Sequence, residues 1–409
     1  MSTQRQFAAR VAMIGGGQLA RMTQQAAVDL DVQLIVLAGA DTEPAVLAGA
    51  PYILGAHTDL DAIIKAADAA GGRGAQAGRA SRNRSAPAAP GAVAPAGIVT
   101  FDHELVPPAL LAELEARGYQ LRPGRAALAV AQDKLLARRL LSERSYPVPA
   151  FTPLTSATDV VAFGRQHGWP VVVKARSGGY DGRGVIVVEG PDAIPADIEW
   201  GSGGQPAWLA EEHIALEAEL AVIVARRPSG AAVTYPVVQT TQIKGICNWL
   251  VTPPAVSPAL SHEAQQLALR LAEDIGAVGI LAVEFFVGPG EQLLVNEVAL
   301  RPHNSGHATI EANVTSQFHQ HLRAVLDWPL GSTDLVAPAA AMVNLIAPDA
   351  ELDVATNLPR ALEVADAHVH LYGKAPRPAR KIGHVTVLGA TSGQALASAQ
   401  RAADLLLGR

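Results

Sequence analysis

Short apolar runs alternate with amphipathic stretches over the first hundred residues. The runs 11–14 and 32–37 predict strands, and the stretch 18–30 between them is compatible with a helix. Two further short strands are predicted at 52–54 and 98–101. A strand, a helix and a strand in this order are typical of an open sheet covered by helices. We therefore expect an open α/β domain at the N-terminus.

The rest of the chain mixes strand and helix patterns. The predicted helices are 132–143, 262–275 and 314–326, and the predicted strands are 171–174, 185–188, 220–225, 233–238, 279–287 and 292–298, followed by a mixture of both over 336–409. Prolines 147 and 149 end the first of these helices and mark a boundary. No internal repeat is evident.

Residues 71–97 differ in composition from everything around them. They include four arginines, no acidic or aromatic residue and almost no large aliphatic side chain. Such a segment cannot bury enough apolar surface to offset the entropy of ordering it. We expect a disordered surface insertion, and the alternative is a basic arm that binds an anionic partner.

Composition narrows the class of protein. The chain has 409 residues, of which 49% are hydrophobic and 17% are charged, which predicts two to three globular domains. A net charge of −6 argues against nucleic acid as a partner. The single cysteine, Cys247, excludes an intrachain disulfide and a multi-cysteine metal site. With no signal-peptide pattern and no long apolar run, we expect a soluble cytoplasmic protein without a membrane partner.

Two glycine-rich segments suggest phosphate binding. The first, 15–17, joins a predicted strand to a helix, where backbone amides favour an anion; the alternatives are a turn without a ligand or a nicotinamide dinucleotide site. The second, SGGYDGRG at 177–184, lies between two predicted strands. Its amides could cover a nucleotide, with Lys174 pairing with the phosphates; the alternative is a mobile surface hairpin.

Two acidic residues interrupt apolar strands. Glu284 and Glu297 lie on the two arms of a predicted hairpin. A register that pairs Glu284 with Val295 would place Glu297 diagonally on the same face, about 7–8 Å away. Both carboxylates could then share bridging ions, for which Mg²⁺ is better suited than zinc. The alternative is a buried salt bridge.

Cationic and polar donors concentrate in two later segments. Residues 301–307, RPHNSGH, offer many donors and suit a small planar anion such as bicarbonate or a carboxylate, unless they form an ordinary polar loop. Lys374, Arg377, Arg380 and Lys381 form a compact basic cluster that could hold a phosphate, unless it is a solvated charged face.

These motifs occur together in an order that resembles one family. GGGQLARM, TFDHE, VVVKARSGGYDGRGV, AEEHI, VNEVALRPHNSGH and LYGKAPRPARKIGH are similar to segments of N5-carboxyaminoimidazole ribonucleotide synthase, the ATP-grasp enzyme of purine synthesis. The resemblance covers nearly the whole chain. It implies an N-terminal α/β pre-ATP-grasp domain at 1–128, an ATP-grasp domain at 129–335 with a lid at about 148–210, and a short β-rich C-terminal domain at 336–409.

The resemblance also implies roles for individual residues. ATP would be contacted by Lys134, Lys174, Gly179, Tyr180, Asp181, Gly182, Arg183, Gly184, Val185, Glu211, Glu212, His213, Ile214, Glu219, Asn296 and Glu297. Mg²⁺ would be held by Glu284 and Glu297. Bicarbonate would be gripped by Arg301, His303 and Asn304. Aminoimidazole ribonucleotide would be bound by Gln18, Leu19, Glu104, Asp181, Lys374, Arg380 and Lys381, the last three holding its phosphate.

The implied reaction is an ATP-dependent carboxylation. Bicarbonate attacks the γ-phosphate of ATP, giving a carboxyphosphate that closure of the lid protects from water. Its carboxyl group, or the CO2 that it releases, passes to the amine of the ribonucleotide, which Asp181 would orient or deprotonate. The alternatives are a formate-dependent transformylase of the same superfamily and an inactive nucleotide-binding regulator. The resemblance further implies a homodimer.

The chain departs from the family pattern at three positions. Lys244 precedes Gly245 where relatives usually carry an Asp-Gly pair. Leu300 stands where proline is common, and Lys134 stands where arginine is frequent. The first departure reverses a charge on the nucleotide side of the expected site.

Overall fold

The computed structural model describes residues 7–71, 97–178, 184–202 and 205–409. Two predictions fall on residues outside these ranges. The expected disorder of the insertion concerns 72–96, and the predicted cover over the nucleotide depends on 179–183.

The first part of the chain forms a parallel sheet with the strand order β3-β2-β1-β4-β5. Its elements are β1 (Ala9–Ile14), α1 (Gln18–Asp29), β2 (Val32–Ala38), α2 (Pro44–Leu47), β3 (Tyr52–Leu54), α3 (Leu60–Ala69), β4 (Ile98–Phe101), α4 (Pro108–Ala116) and β5 (Gln120–Leu121). Strand β1 is the centre of this sheet, and its residues 11–14 are fully buried. The predicted open α/β domain is confirmed.

The second part contains a smaller antiparallel sheet. Its elements are α5 (Arg125–Gln132), α6 (Lys134–Glu143), β6 (Phe151–Leu154), α7 (Ala157–His167), β7 (Val171–Ala175), β8 (Val185–Val188), a 3-10 turn (Pro191–Ala193), β9 (Gly201–Ser202), β10 (Gln205–Pro206) and β11 (Trp208–Glu212). The strand order is β6-β11-β7-β8. The predicted helix at 132–143 begins two residues late, because the carboxylate of Asp133 accepts a hydrogen bond from the Leu136 amide and caps α6.

The third part is built on a large sheet of the order β17-β16-β12-β14-β15-β18-β20-β19, with β13 beside β12. Its elements are β12 (Ala218–Arg226), β13 (Ala232–Thr234), β14 (Val238–Ile243), β15 (Ile246–Thr252), α8 (Pro258–Asp274), β16 (Gly279–Gly288), β17 (Gln292–Ala299), a 3-10 turn (Asn304–Gly306), α9 (Thr309–Ala312), α10 (Gln317–Val325), β18 (Ala339–Ile346), α11 (Val354–Ala361), β19 (Ala367–Leu371), β20 (Lys381–Gly389) and α12 (Ser392–Leu406).

Three predicted elements of this region are different in the structure. The helix expected at 262–275 begins at Pro258, because the Ser257 side chain caps it by accepting from the Leu260 amide. The single strand expected at 233–238 is split into β13 and β14, since Pro236 has no amide to donate and the buried Tyr235 turns inward to bond the Thr315 carbonyl at 2.8 Å. The helix expected at 314–326 begins at Gln317, where the Ser316 side chain caps it.

The strands after residue 336 continue the large sheet through the pairing of β15 with β18. Because the sheet is continuous, residues 374–381 of the C-terminal part line the same cleft as residues of β16 and β17. Within the described residues, no helix combines the length and the apolar character needed to cross a membrane.

Candidate active site

A single large cleft collects the predicted site residues from all three parts of the chain. Its volume is about 1910 Å³. Its lining includes Gln18, Leu19, Glu104, Lys134, Lys174, Val185, Glu211, Glu212, His213, Ile214, Glu219, Glu284, Asn296, Glu297, Arg301, His303, Asn304, Lys374, Arg380 and Lys381. Gly184 lies just before β8, where its carbonyl accepts a hydrogen bond from Ala175 at 2.7 Å. The predicted residues Gly179, Tyr180, Asp181, Gly182 and Arg183 lie outside the described residues.

Three carboxylates lie on one face of neighbouring strands. In the pairing of β12 with β16, Glu219 is opposite Phe286 and Glu284 is opposite Ala221, so the two acids are diagonal neighbours on one face. In the pairing of β16 with β17, Glu284 lies directly opposite Glu297. The acids therefore form a row across three adjacent strands.

The register suggested by the sequence is wrong for this hairpin. Glu284 does not pair with Val295, because a β-bulge follows Glu284 and Val295 pairs with Phe285 instead. Asn296 is the extra residue of the bulge. The bulge places Glu297 opposite Glu284 rather than on the diagonal, which brings the two carboxylates closer together than the predicted register would.

The electrostatics of the acidic row favour a cation. Burial raises the pKa of Glu219 to about 7. Burial, together with the charges of Glu297 and Glu219, raises the pKa of Glu284 to about 7. A cation bound between these oxygens would relieve their mutual repulsion, and hard oxygen ligands of this kind suit Mg²⁺. In the described ranges no three acidic, histidine or cysteine side chains form a complete metal-binding group, so such an ion would need further oxygens from substrate or water.

Two lysines border the acidic row. The Lys134 amino group donates to Glu297 at 2.6 Å, and both groups are accessible from the cleft. Lys174 comes from β7, where its amino group donates to the side-chain oxygen of Asn296 at 3.2 Å. Phosphate oxygens placed over the acidic row would therefore lie beside two cationic side chains.

Glu211 is held by cations of the protein itself. It is 2% exposed, and its two oxygens accept from Lys174 and from Arg138, each at 2.7 Å. Arg138 also donates to the Asn296 carbonyl at 2.7 Å. Burial acts to raise the pKa of Glu211, but the charges of Lys174 and Arg138 outweigh it and lower the pKa to about 2. Glu211 is therefore a fixed anion that orients Lys174 at the wall of the cleft.

One side-chain oxygen of Glu212 accepts a hydrogen bond from the Ala150 amide at 2.8 Å, which fixes this side chain to the backbone.

Apolar side chains also line the cleft. Leu136, Val187 and Leu216 are between 40% and 49% exposed although they are aliphatic. Partly exposed apolar side chains in a cleft offer a surface for a flat ring such as a nucleobase.

The loop 301–307 follows β17 directly and lies at the edge of the acidic row. Glu104 holds its start, since one oxygen accepts from the Leu300 amide at 3.0 Å and the other from the Arg301 side chain at 2.8 Å. Burial acts to lower the pKa of Arg301, but the Glu104 charge outweighs it and the pKa is raised. Arg301 is therefore a permanent cation of the cleft.

His303 and Asn304 reach towards different neighbours. The Nε2 atom of His303 lies 3.6 Å from Glu284, and burial, with the charges of Arg301 and Lys381, lowers the pKa of His303 to about 3. Its ring is therefore neutral at physiological pH. The side-chain amide of Asn304 forms a reciprocal pair with that of Asn344, at 2.9 and 2.8 Å.

The glycine turn at 15–17 is filled by a carboxylate rather than open to a phosphate. Asp102 accepts from the Gly17 amide and the Ala20 amide, each at 2.8 Å. Any side chain at residue 17 would collide with this carboxylate, which explains the glycine. The predicted phosphate contact at these amides is contradicted, because Asp102 already serves as the anion at the start of α1.

The basic cluster also lines the cleft. The Lys374 amino group bonds the side-chain oxygen of Gln18, which joins the N-terminal and C-terminal parts of the chain. Leu19, the second residue of α1, is 7% exposed and packs into a hydrophobic core with residues of β1 and β2. Burial and the neighbouring charge of Arg377 lower the pKa of Arg380, so an anion bound here would relieve repulsion between cations.

Four residues of the site were missed by the sequence interpretation. Arg138 lies on the buried face of α6 between Leu135 and Leu141. A cation within an apolar stripe was the feature of the sequence that could have indicated a buried ion pair. Asp102 stood inside the quoted TFDHE motif without a role. Asn344 and Gln317 contact the 301–307 loop from distant elements, and no local pattern marks them.

The chain matches three family models in order. The ribonucleotide synthetase preATP-grasp domain matches residues 8–71, the ATP-grasp domain matches 139–318, and the phosphoribosylaminoimidazole carboxylase C-terminal domain matches 340–398. The boundaries predicted at 128 and 335 fall between these matches and stay predictions.

Relatives and solved structures agree with the family models. A protein of Mycobacterium bovis named N5-carboxyaminoimidazole ribonucleotide synthase is 43% identical, with 97% of this chain and 87% of the relative covered. The crystal structure of N5-carboxyaminoimidazole ribonucleotide synthetase from Thermotoga maritima is 31% identical, covers 97% of this chain and 98% of that chain, and gives a TM-score of 0.80.

A third similar protein was solved with ligands. The structure of N5-carboxyaminoimidazole synthase from Aspergillus clavatus in complex with ADP and 5-aminoimidazole ribonucleotide is 28% identical, covers 97% of this chain and 98% of that chain, and has a TM-score of 0.81. The fold, the acidic row, the 301–307 loop and these similarities lead to one conclusion. The chain belongs to the N5-carboxyaminoimidazole ribonucleotide synthase family of ATP-grasp enzymes.

Proposed function

We propose that the protein is a ligase that carboxylates 5-aminoimidazole ribonucleotide with bicarbonate, using ATP, and yields N5-carboxyaminoimidazole ribonucleotide, ADP and phosphate for purine biosynthesis. The observation that carries the proposal is the composition of one cleft. The acidic row, the 301–307 loop and the basic cluster 374–381 all line it, so sites for a metal–nucleotide, a small anion and a phosphorylated substrate are adjacent.

The nucleotide would lie between the acidic row and the lysines. Glu284 and Glu297 would hold Mg²⁺, which would supply positive charge to neutralise the phosphates of the nucleotide. Lys134 and Lys174 would pair with the phosphates, and the Glu211 carboxylate keeps Lys174 directed at Asn296 and the cleft. Binding of ATP would require Lys134 to exchange Glu297 for a phosphate oxygen.

Bicarbonate would bind beside the acidic row. Arg301 supplies a permanent charge, and His303 supplies a neutral donor next to Glu284. Asn304 keeps one amide hydrogen and one lone pair beyond those used by Asn344, because each amide group has two of both. When a bicarbonate oxygen attacks the γ-phosphate, a new P–O bond forms and the bond to ADP breaks, so the leaving ADP takes the electron pair. The donors that are already fixed would hold the carboxyl end of the carboxyphosphate in place.

The ribonucleotide would lie against the basic cluster. Lys374, Arg380 and Lys381 would hold its phosphate, and Gln18 would contact it from α1. Glu104 and Asp181 would contact the substrate amine, which must lose a proton when the carboxyl group is transferred. We also propose that the protein is cytoplasmic and is a homodimer, for which light scattering after size-exclusion chromatography should give twice the mass of the chain.

Phosphate release from ATP tests the function. The purified protein with Mg²⁺ should release phosphate rapidly only when bicarbonate and 5-aminoimidazole ribonucleotide are both present. Equal release with formate and glycinamide ribonucleotide would instead support a transformylase, and ATP binding without turnover would support an inactive regulator.

Two variants test the metal assignment. Glu297→Gln should abolish phosphate release, since it removes one of the charges that would hold Mg²⁺. Glu291→Gln is the matched control, because Glu291 lies in the turn of the same hairpin and its carboxylate accepts from the amide and the hydroxyl of Ser257. A third variant tests the assignment of Asp181 to the ribonucleotide. Asp181→Asn should impair carboxylation of the ribonucleotide more than it impairs ATP hydrolysis.

A further inference from the structure

A buried glutamine outside the cleft holds the backbone of His303. Gln317 is the first residue of α10 and is 0% exposed. Its side-chain oxygen accepts from the His303 amide at 2.9 Å, and its side-chain nitrogen donates to the His303 carbonyl at 2.8 Å. Because a backbone amide can only donate and a carbonyl can only accept, the orientation of the Gln317 side chain is fixed.

The same glutamine also fixes the end of the loop. The Gln317 nitrogen lies 3.2 Å from Nδ1 of His307, which is 0% exposed. An amide nitrogen is a donor, so Nδ1 of His307 must accept and the ring proton must be on Nε2. One side chain thus ties residues 303 and 307 together across the turn Asn304–Gly306.

Ser305, within the turn Asn304–Gly306, fixes the orientation of the His303 ring. The Ser305 amide donates to Nδ1 of His303 at 3.3 Å, and the Ser305 hydroxyl lies 2.8 Å from the same atom. Since Nδ1 accepts from a backbone amide, the neutral ring carries its proton on Nε2. That Nε2–H is the group beside Glu284.

We propose that Gln317 is a positioning residue for the anion site: it holds the 303–307 turn so that the Nε2–H of His303 donates to the bound bicarbonate. This inference rests on the proposed carboxylation. Gln317 does not line the cleft, so it acts only through His303 and the turn. Its loss would let the turn relax, and the donor would no longer be fixed before bicarbonate arrives.

The chain supplies a matched control on the same helix. Gln320 is also 0% exposed, and its side chain accepts from the Gly331 amide at 2.9 Å and donates to the Gly331 carbonyl at 2.8 Å. The two glutamines therefore make the same pair of bonds to a loop backbone. They differ in the loop that they hold. His303 lines the cleft, whereas neither Gln320 nor Gly331 does.

The experiment compares Gln317→Met with Gln320→Met in the full-length protein. Both variants should unfold at lower urea concentration than wild type. Only Gln317→Met should lower kcat/KM for bicarbonate, by at least about tenfold, while the KM for ATP stays within about twofold of wild type. Equal losses in both variants, or wild-type bicarbonate kinetics in Gln317→Met, would overturn the inference.

A second pair keeps the test decisive if a methionine variant does not fold. Gln317→Glu retains the acceptor for the His303 amide but loses the amide donor, and Gln320→Glu is its control. The same selective loss for bicarbonate is expected in Gln317→Glu alone, and its absence refutes the positioning role. If wild type shows no bicarbonate-dependent phosphate release, the proposed function fails instead, so the two failures are distinct.

Discussion

Glu211→Gln tests the buried ion group behind the nucleotide site. The substitution keeps the shape of the side chain but removes its charge. Lys174 and Arg138 would then be left without their shared anion, in a place where Glu211 is 2% exposed. Breaking a buried ion pair by removing one partner is strongly destabilising, because the remaining charge is uncompensated.

The pKa of Glu211 gives the magnitude. The two cations lower it from 4.5 to about 2, which corresponds to about 3 kcal/mol of stability at neutral pH. The unfolded chain takes up this proton near pH 4.5, whereas the folded chain does so only near pH 2. The contribution is therefore fully present above pH 4.5 and is lost as the pH falls towards 2.

Urea unfolding followed by tryptophan fluorescence measures this difference. At pH 7.5 we expect Glu211→Gln to be less stable than wild type by about 3 kcal/mol. The gap should narrow by about 1.4 kcal/mol for each pH unit below 4.5, because wild type alone loses the contribution. Glu212→Gln, whose side chain bonds the Ala150 amide, is the control and should cost less than about 1 kcal/mol. A gap below about 1 kcal/mol at pH 7.5, or one that does not change between pH 5 and pH 3.5, would refute the reasoning.

Substitutions at three further residues separate stability from activity. Asp102→Ala should cost about 2 kcal/mol in urea unfolding, since it removes the anion at the start of α1, and Asp102→Asn should recover part of this loss. Lys134→Met should change stability by less than about 1 kcal/mol, because its ion pair with Glu297 is exposed, but should raise the KM for ATP at least about tenfold; an unchanged KM would contradict its assignment. Tyr235→Phe should cost about 1–2 kcal/mol without altering kcat, since it leaves the buried Thr315 carbonyl unpaired; a large fall in kcat would show that the bond matters for the cleft.

The fold class and much of the element pattern could be predicted from local sequence. Periodicity located β3, β4 and β8 with their observed bounds. The predicted helix at 132–143 and the predicted strand at 233–238 were less accurate. Each depends on a side chain whose partner is elsewhere, since Arg176 also binds the Asp133 cap and Tyr235 bonds Thr315. Local propensity contains no information about such partners.

The candidate site divides in the same way. The order of residue types along the chain indicated the family, the acidic pair Glu284 and Glu297, and the 301–307 loop. The reason is that metal binding needs carboxylates and anion binding needs cationic or polar donors. Tertiary structure decided which side chains meet. The bulge at Asn296 places Glu284 opposite Glu297. The Asp102 carboxylate accepts hydrogen bonds from the Gly17 and Ala20 amides at the glycine turn.

Sequence by itself thus determined the composition of this cleft, because acidic side chains in apolar strands are costly unless a cation or a ligand compensates their charge. Tertiary structure alone decided the register of the acidic row, the anion at α1, and the holding of His303 by Gln317. These depend on contacts between residues 13 to 85 positions apart, and no local periodicity encodes which distant partner a residue will meet.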